Sequence, residues 1–124
     1  MKGRSNGPQP GHFRLDVWKD SIALAGDIFR HARAFPRQAQ FSLGLQMQRS
    51  AVSVPSNIAE GAARGTKAEF IRFLRISRAS LMELDTQIRI ANDLELLHQA
   101  DNLLERIRVL NARLNALIRS RITP

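Results

Sequence analysis

Apolar residues recur three and four positions apart along most of the chain, the period of an amphipathic helix, and nowhere do they alternate as in a strand. The first run, from about Asp16 to Ala34, carries Trp18, Ile22, Ala25, Phe29 and Ala32 as one stripe, with Val17, Leu24, Ile28 and Phe35 beside it. Together they make the broad apolar face of a bundle helix, wider than the seam of a two-stranded coil. The Trp18 stripe is predicted to face the core. Asp16 is placed as N-cap, and Pro36 ends the helix by restricting Phe35. Helix two is predicted from about Gln40, with Leu43, Met47, Ala51, Val54 and Ile58 in one row and Leu45, Val52 and Ala59 alongside. Its small residues, Ser50, Ala51, Ser53, Ser56, Ala59, Ala62 and Ala63, allow a neighbouring helix to come close. Pro55 removes one amide donor and crowds the carbonyl of Ala51. Because the row continues on both sides, the helix is predicted to bend at Pro55 rather than stop. Gly61 and Gly65 loosen its end.

Thr66-Lys67-Ala68-Glu69 is a capping-box sequence and opens helix three. That helix continues through Phe70, Leu74, Ser77, Leu81, Leu84, Ile88 and Ala91 and ends near Asn92 or Leu94. Helix four starts near His98, with Ala100, Leu103, Ile107, Leu110, Leu114 and Leu117 in register and Leu97, Leu104 and Ile118 adjacent. The fold class is therefore all-α, an antiparallel up-down four-helix bundle over residues 13–124. Gly3, Gly7, Pro8, Pro10 and Gly11 make residues 1–12 a flexible basic tail outside it.

At 124 residues the chain is one domain. It has no cysteine, hence no disulfide or thiolate metal site, which fits a reducing cytosol. The start has no apolar core of a signal peptide, and no apolar run approaches a membrane span. A soluble, cytoplasmic protein is expected. The formal charge is +8, and all the basic residues but Lys2, Lys19 and Lys67 are arginine. Arginine's planar fork suits phosphate, so a polyanionic partner such as nucleic acid is one reading; a GC-rich genome is the other.

Two polar rows stand out. Arg49, Ser53, Asn57, Glu60 and Arg64 share one side of helix two, and Ser80, Glu83 and Gln87 share one side of helix three. They read as solvated faces, as a ligand site, or, preferably, as a structural polar network built on Arg49, Asn57, Glu60, Arg64, Ser80 and Glu83. In that network Asn57 takes the carbonyl freed by Pro55, and Glu60 or Glu83 pairs with Arg49. Such a layer fixes helix register, because a half-satisfied version is strongly destabilising. Arg72, Arg75 and Arg78 on helix three, and Arg106, Arg108, Arg113, Arg119 and Arg121 on helix four, are the candidates for phosphate contacts. For any single one a solvated, locally paired arginine is the plainer reading. Aromatics are too few for single-strand base stacking, so structured RNA or DNA suits better.

No catalytic constellation is legible. His12, His31 and His98 are scattered, and neither a zinc-binding HExxH nor a P-loop is present. Glu60 and Glu83 lack the Glu-x-x-His elements of a carboxylate-bridged metal bundle. No cofactor, metal, membrane or small-molecule substrate is expected.

Leu15-Asp16-Val17-Trp18, Leu45-Gln46, Arg49-Ser50-Ala51 and above all Ser53-Val54-Pro55-Ser56-Asn57-Ile58-Ala59-Glu60-Gly61 with Arg64 form a recognisable series. It continues in Phe70-Ile71-Arg72-Phe73-Leu74 and Ser80-Leu81-Met82-Glu83-Leu84. From about Phe13 to Ile122 the chain resembles the four-helix bundle proteins of the 23S rRNA intervening-sequence protein family. One departure is Ala79, where a glycine usually precedes the serine; alanine suits a helix interior. The resemblance implies a bacterial bundle assembled into a ring, a homopentamer, and no enzyme activity. The chain is also similar to the accessory proteins of diversity-generating retroelements, which are basic bundles that bind nucleic acid. A basic adaptor for structured nucleic acid is the function expected, with a protein-interaction scaffold as the alternative.

Overall fold

Four long helices account for nearly all of residues 15–122, the part of the chain that the computed structural model describes. They are α1 (Asp16–Arg33), α2 (Leu45–Ala63), α3 (Lys67–Asp93) and α4 (Ala100–Ile122). The tail expected over residues 1–12 lies outside the described residues, as do 13, 14, 123 and 124. Each helix packs on the next, and α4 returns against α1, which closes an all-α, up-down four-helix bundle. The seam between α2 and α3 is the most extensive and that between α1 and α4 the least. Ile28, Met47, Ile58, Leu74, Leu81, Leu84, Ile88 and Leu114 are fully enclosed between the helices.

Both stripes of α1 contribute to its enclosed face: Ala25 and Ala32 of the Trp18 stripe are buried, and Trp18 packs partly buried against the core. Val17, Leu24, Ile28 and Phe35 are buried, whereas Ile22 and Phe29 are 45% and 41% exposed. Both rows fit a helical period. The placement of α2 and α4 on either side of α1 decides which positions of the broad face, here Ile22 and Phe29, are left at its edge. Asp16 is the first helical residue, and Leu15 occupies the N-cap position. The Asp16 carboxylate still lies where the helix dipole favours negative charge.

Helical structure begins earlier than Gln40. A turn at Arg37–Ala39 runs into a π-helical segment, Gln40–Gly44, and then into α2. The Gln40 side chain stitches this junction to the end of α1 by donating to the carbonyls of Arg33 (2.9 Å) and Phe35 (2.7 Å). Gly44 is closely surrounded there: a Cβ would sit 3.2 Å from the Ala39 carbonyl oxygen, a tight contact. Pro55 is buried within α2, which runs through it without restarting.

Gly61 does not loosen the end of α2. It is buried inside the helix, and a Cβ on it would lie 2.6 Å from the Cβ of Phe73. Helices α2 and α3 therefore approach closely there. Gly65, with φ +85°, supplies the left-handed residue that ends α2. Thr66 then caps α3, its Oγ1 accepting from the Glu69 amide at 3.1 Å. The other end of α3 is a Schellman motif, with Leu96 N–H on the Ala91 carbonyl and Glu95 N–H on that of Asn92. Glu95 takes the left-handed position usually given to glycine, at φ 60°. Helix α4 begins at Ala100, two residues beyond His98.

Candidate functional site

The polar rows of α2 and α3 meet across the most extensive seam, with partners that differ from those expected. Asn57 donates to the Ser53 carbonyl (2.8 Å) and to Ser53 Oγ (2.9 Å), not to the Ala51 carbonyl. Ser53 Oγ lies 2.8 Å from Ser80 Oγ, so a chain of three side chains crosses from α2 to α3. Below it, buried Ser77 donates to the Val54 carbonyl at 2.8 Å. This is a hydroxyl and amide layer without charge, which avoids the cost of burying ions. The charged members lie outside it. Glu60 pairs with Arg64 along the helix at 3.0 Å, on the surface. Arg49 and Glu83 pair with neither Glu60 nor each other. Together with Gln46, Ser50, Ser53 and Gln87 they line an open groove of about 410 Å³ between α2 and α3.

Most of the candidate phosphate-binding arginines are engaged within the chain. Arg72 forks onto Glu69 (2.9 and 3.2 Å) and lies over the Phe73 ring. Arg108 forks onto Glu105 at 2.9 and 2.6 Å. Arg106 crosses to Asp27 on α1 at 2.6 Å, and Arg113 crosses to Asp20. Arg78 donates to the side-chain carbonyl of Asn115 at 2.7 Å, joining α3 to α4. Arg121 lies over the Phe70 ring and makes a long hydrogen bond to Ser120. Arg75 is exposed and has no ion pair among the described residues. Arg119 is exposed near the end of α4.

These pairs set the titration of their acids. Hydrogen bonds from Arg30 and then Arg106 hold the Asp27 carboxyl below its ordinary value. Bonds from Arg72 and from Arg108 do the same for Glu69 and Glu105. Among the described residues no group of three or more histidine, aspartate or glutamate side chains is placed to hold a metal. No described helix is long and apolar enough to cross a membrane.

Charge is distributed along the bundle axis. The first half of α3 carries Lys67, Arg72, Arg75 and Arg78 against Glu69 alone, and the second half of α4 carries Arg113, Arg119 and Arg121 with no acid. Because α3 and α4 run antiparallel, with Arg78 bonded to Asn115, these halves lie side by side. Arg64, at the end of α2, joins them: its guanidinium approaches Glu69 and lies over Phe73. The opposite halves of the two helices hold Glu83, Asp85, Asp93, Glu95, Asp101 and Glu105 against Arg89, Arg106 and Arg108. Sequence reasoning had the arginines but not this polarity, which appears only when α4 is laid against α3 in reverse.

A second surface is apolar, and its place on the bundle could not be read from the sequence. Ile22 and Phe29 on α1, with Leu45 and Val52 on α2 and Phe41 ahead of it, are large apolar side chains exposed by 36% or more. On each helix they lie beside the buried row that packs against the other, so they flank the outer side of the α1–α2 seam.

Similarity to known proteins agrees with this architecture. A crystal structure at 1.70 Å resolution of a protein of unknown function from the S23 ribosomal protein family of Bacteroides thetaiotaomicron superposes with a TM-score of 0.76. The match covers 83% of this chain and 95% of that one at 22% identity, which speaks to the fold alone. No curated protein matches the sequence. The family model for the 23S rRNA-intervening sequence protein matches residues 14–116, most of the chain and all of α1 to α3. The protein belongs to the 23S rRNA-intervening sequence protein family.

Proposed function

We propose that this protein is a non-enzymatic, self-associating adaptor that binds structured nucleic acid through the basic end of its bundle. The observation that carries the reading is the segregation of charge: Lys67, Arg75, Arg78, Arg119 and Arg121 share one end, where the nearby acids Asp20, Glu60 and Glu69 are already taken by Arg113, Arg64 and Arg72. Phosphate contacts need cations whose charge is not already neutralised, and that criterion re-ranks the candidates. Arg75, Arg78 and Arg121 lead. Arg106, Arg108 and Arg113 follow, because each must first release a carboxylate. Surface pairs are worth about 0–1 kcal/mol, so that release costs little, but it adds no net attraction. A convex helical surface with arginines at its end suits backbone and shape recognition rather than base stacking.

Self-association rests on the apolar strip beside the α1–α2 seam. Large apolar side chains grouped on two adjacent helices mark an interaction surface. A ring of copies, the homopentamer expected from the family, would cover it and repeat the basic end around one rim, raising avidity without new chemistry.

The test is titration of a fluorescent RNA hairpin at two salt concentrations. Binding should weaken steeply with salt, since each neutralised phosphate releases counterions. Replacing Arg75 and Arg121 together with alanine should flatten the salt dependence by about one unit of slope for each phosphate no longer neutralised. No binding to RNA or DNA hairpins at low salt would overturn the reading. A scaffold that docks a protein partner would then be favoured.

A further inference from the structure

Several polar groups that line the groove between α2 and α3 have no partner among the described residues. Arg49 on one wall and Glu83 on the other make no ion pair there, although most carboxylates along α1, α3 and α4 that face an arginine are bonded to it. Ser50 is only 7% exposed, lines the groove, and its hydroxyl makes no hydrogen bond among the described residues. The Gln87 side-chain oxygen is buried and likewise without a partner. An unpaired buried acceptor costs about 1–3 kcal/mol, so the Gln87 oxygen is set up to gain from a ligand that donates to it, while the exposed Arg49 and Glu83 are free to bond to one.

The walls specify what that ligand must offer. Glu83 presents two acceptor oxygens side by side, and Gln87 can turn its own oxygen outward about its soft terminal torsion. Arg49 presents a planar fork of donors, with the Gln46 amide beside it. The complementary group is flat, with two adjacent N–H donors on one edge and two adjacent acceptors on the other. Among the nucleobases only guanine has this arrangement: N1–H and the N2 amino group face a carboxylate, while O6 and N7 accept from a guanidinium. Adenine, cytosine and uracil each set a donor beside an acceptor where Glu83 needs two donors.

The groove is open and has no aromatic wall, so it cannot enclose a free nucleotide. Its ligand must be tethered to something held elsewhere on the molecule. A base projecting from a structured nucleic acid whose phosphates rest on the basic end meets that condition. We therefore propose that the α2–α3 groove receives the edge of an unpaired guanine, read by Glu83 and Arg49 with Ser50, Gln46 and Gln87 in support. The proposal rests on the nucleic-acid reading above and adds base selectivity to it.

The test uses the full chain and RNA hairpins whose uridine loop carries one guanosine, inosine or adenosine. Guanosine should bind about ten-fold or more tighter than adenosine, in keeping with the discrimination of one bidentate pair. Inosine, which lacks the N2 amino group, should fall between them. Glu83→Gln keeps the shape of the side chain but replaces one acceptor oxygen with a donor amide, so it should abolish the guanosine preference and tighten adenosine binding; an undiminished guanosine preference in this variant would overturn the guanine site. Arg75→Ala with Arg121→Ala should weaken all three hairpins alike. Equal binding of the three loops by the wild-type chain would overturn the guanine site and leave the adaptor reading standing. Failure to bind any hairpin at low salt would overturn both.

Discussion

Two single residues show how local conformation and close packing compete in this bundle. Gly61 lies inside α2, where alanine would gain about 1 kcal/mol of helix propensity. Its missing Cβ, however, leaves room for the Cβ of Phe73, only 2.6 Å from where the methyl would sit. Backbone-anchored atoms on both helices must then move apart, and overpacking of that kind costs about 1–3 kcal/mol. Gly61→Ala is expected to lower the melting temperature; an unchanged or higher one would mean that α2 and α3 can separate freely. Glu95 presents the opposite case. It closes the Schellman motif after α3 at φ 60°, where a Cβ is unfavourable, and its side chain makes no ion pair among the described residues. Glu95→Gly is expected to stabilise the fold by about 0.5–1 kcal/mol in urea unfolding. A loss of stability would show that the glutamate has a role outside the turn.

At the scale of helices, the seams differ in what holds them. Between α2 and α3 the small residues bring backbones close, and the Ser53, Asn57, Ser77 and Ser80 hydrogen bonds fix the register. Between α1 and α4 there is an open cleft of about 330 Å³, floored by Ala23, Leu24, Val109 and Leu110 and flanked by the Asp27–Arg106 and Asp20–Arg113 pairs. The Asp27 carboxyl is held below its ordinary 3.8 by Arg30 and Arg106. A folded value lowered in this way contributes stability above pH 3.8, and that contribution is lost as pH falls through the folded value. Glu69 and Glu105 act in the same direction. Asp27→Asn should therefore destabilise the protein modestly at pH 7, and the gap from wild type should shrink at pH 3. A gap that stays constant between the two would show that the Asp27 charge does not hold this seam.

At the scale of the whole molecule, two surfaces are separate: an apolar strip along α1 and α2, and a basic end on α3 and α4. Replacing Ile22 and Val52 together with glutamate should reduce the native particle to the 14.0 kDa of one chain while helix content is retained. Both residues are about half exposed, so the fold itself should tolerate the change. A wild-type particle already at that mass, or a variant that keeps the larger one, would rule out self-association through this strip. The single-chain variant should also bind RNA hairpins more weakly than the assembled protein, because the avidity of repeated basic ends is gone.

Much of the fold was legible in the residue pattern. The period of apolar positions marked four helices, the Thr66 capping sequence and Gly65 marked the α2–α3 turn, and the small residues of α2 marked its close approach to a neighbour. Periodicity is a local property of one helix, and capping depends on neighbours three residues apart, so both can be read from the chain alone. The candidate site was less legible, because a side chain's partner depends on what a distant segment brings to it. Which apolar residues of α1 are left exposed, that Asn57 serves Ser53, that Arg106 and Arg113 are held by α1, and that Arg49 and Glu83 line one groove unpaired were decided only in three dimensions. The sequence determined the helices and their total charge; the tertiary structure decided which face of each helix is left to meet a partner, because burial and pairing arise only between helices.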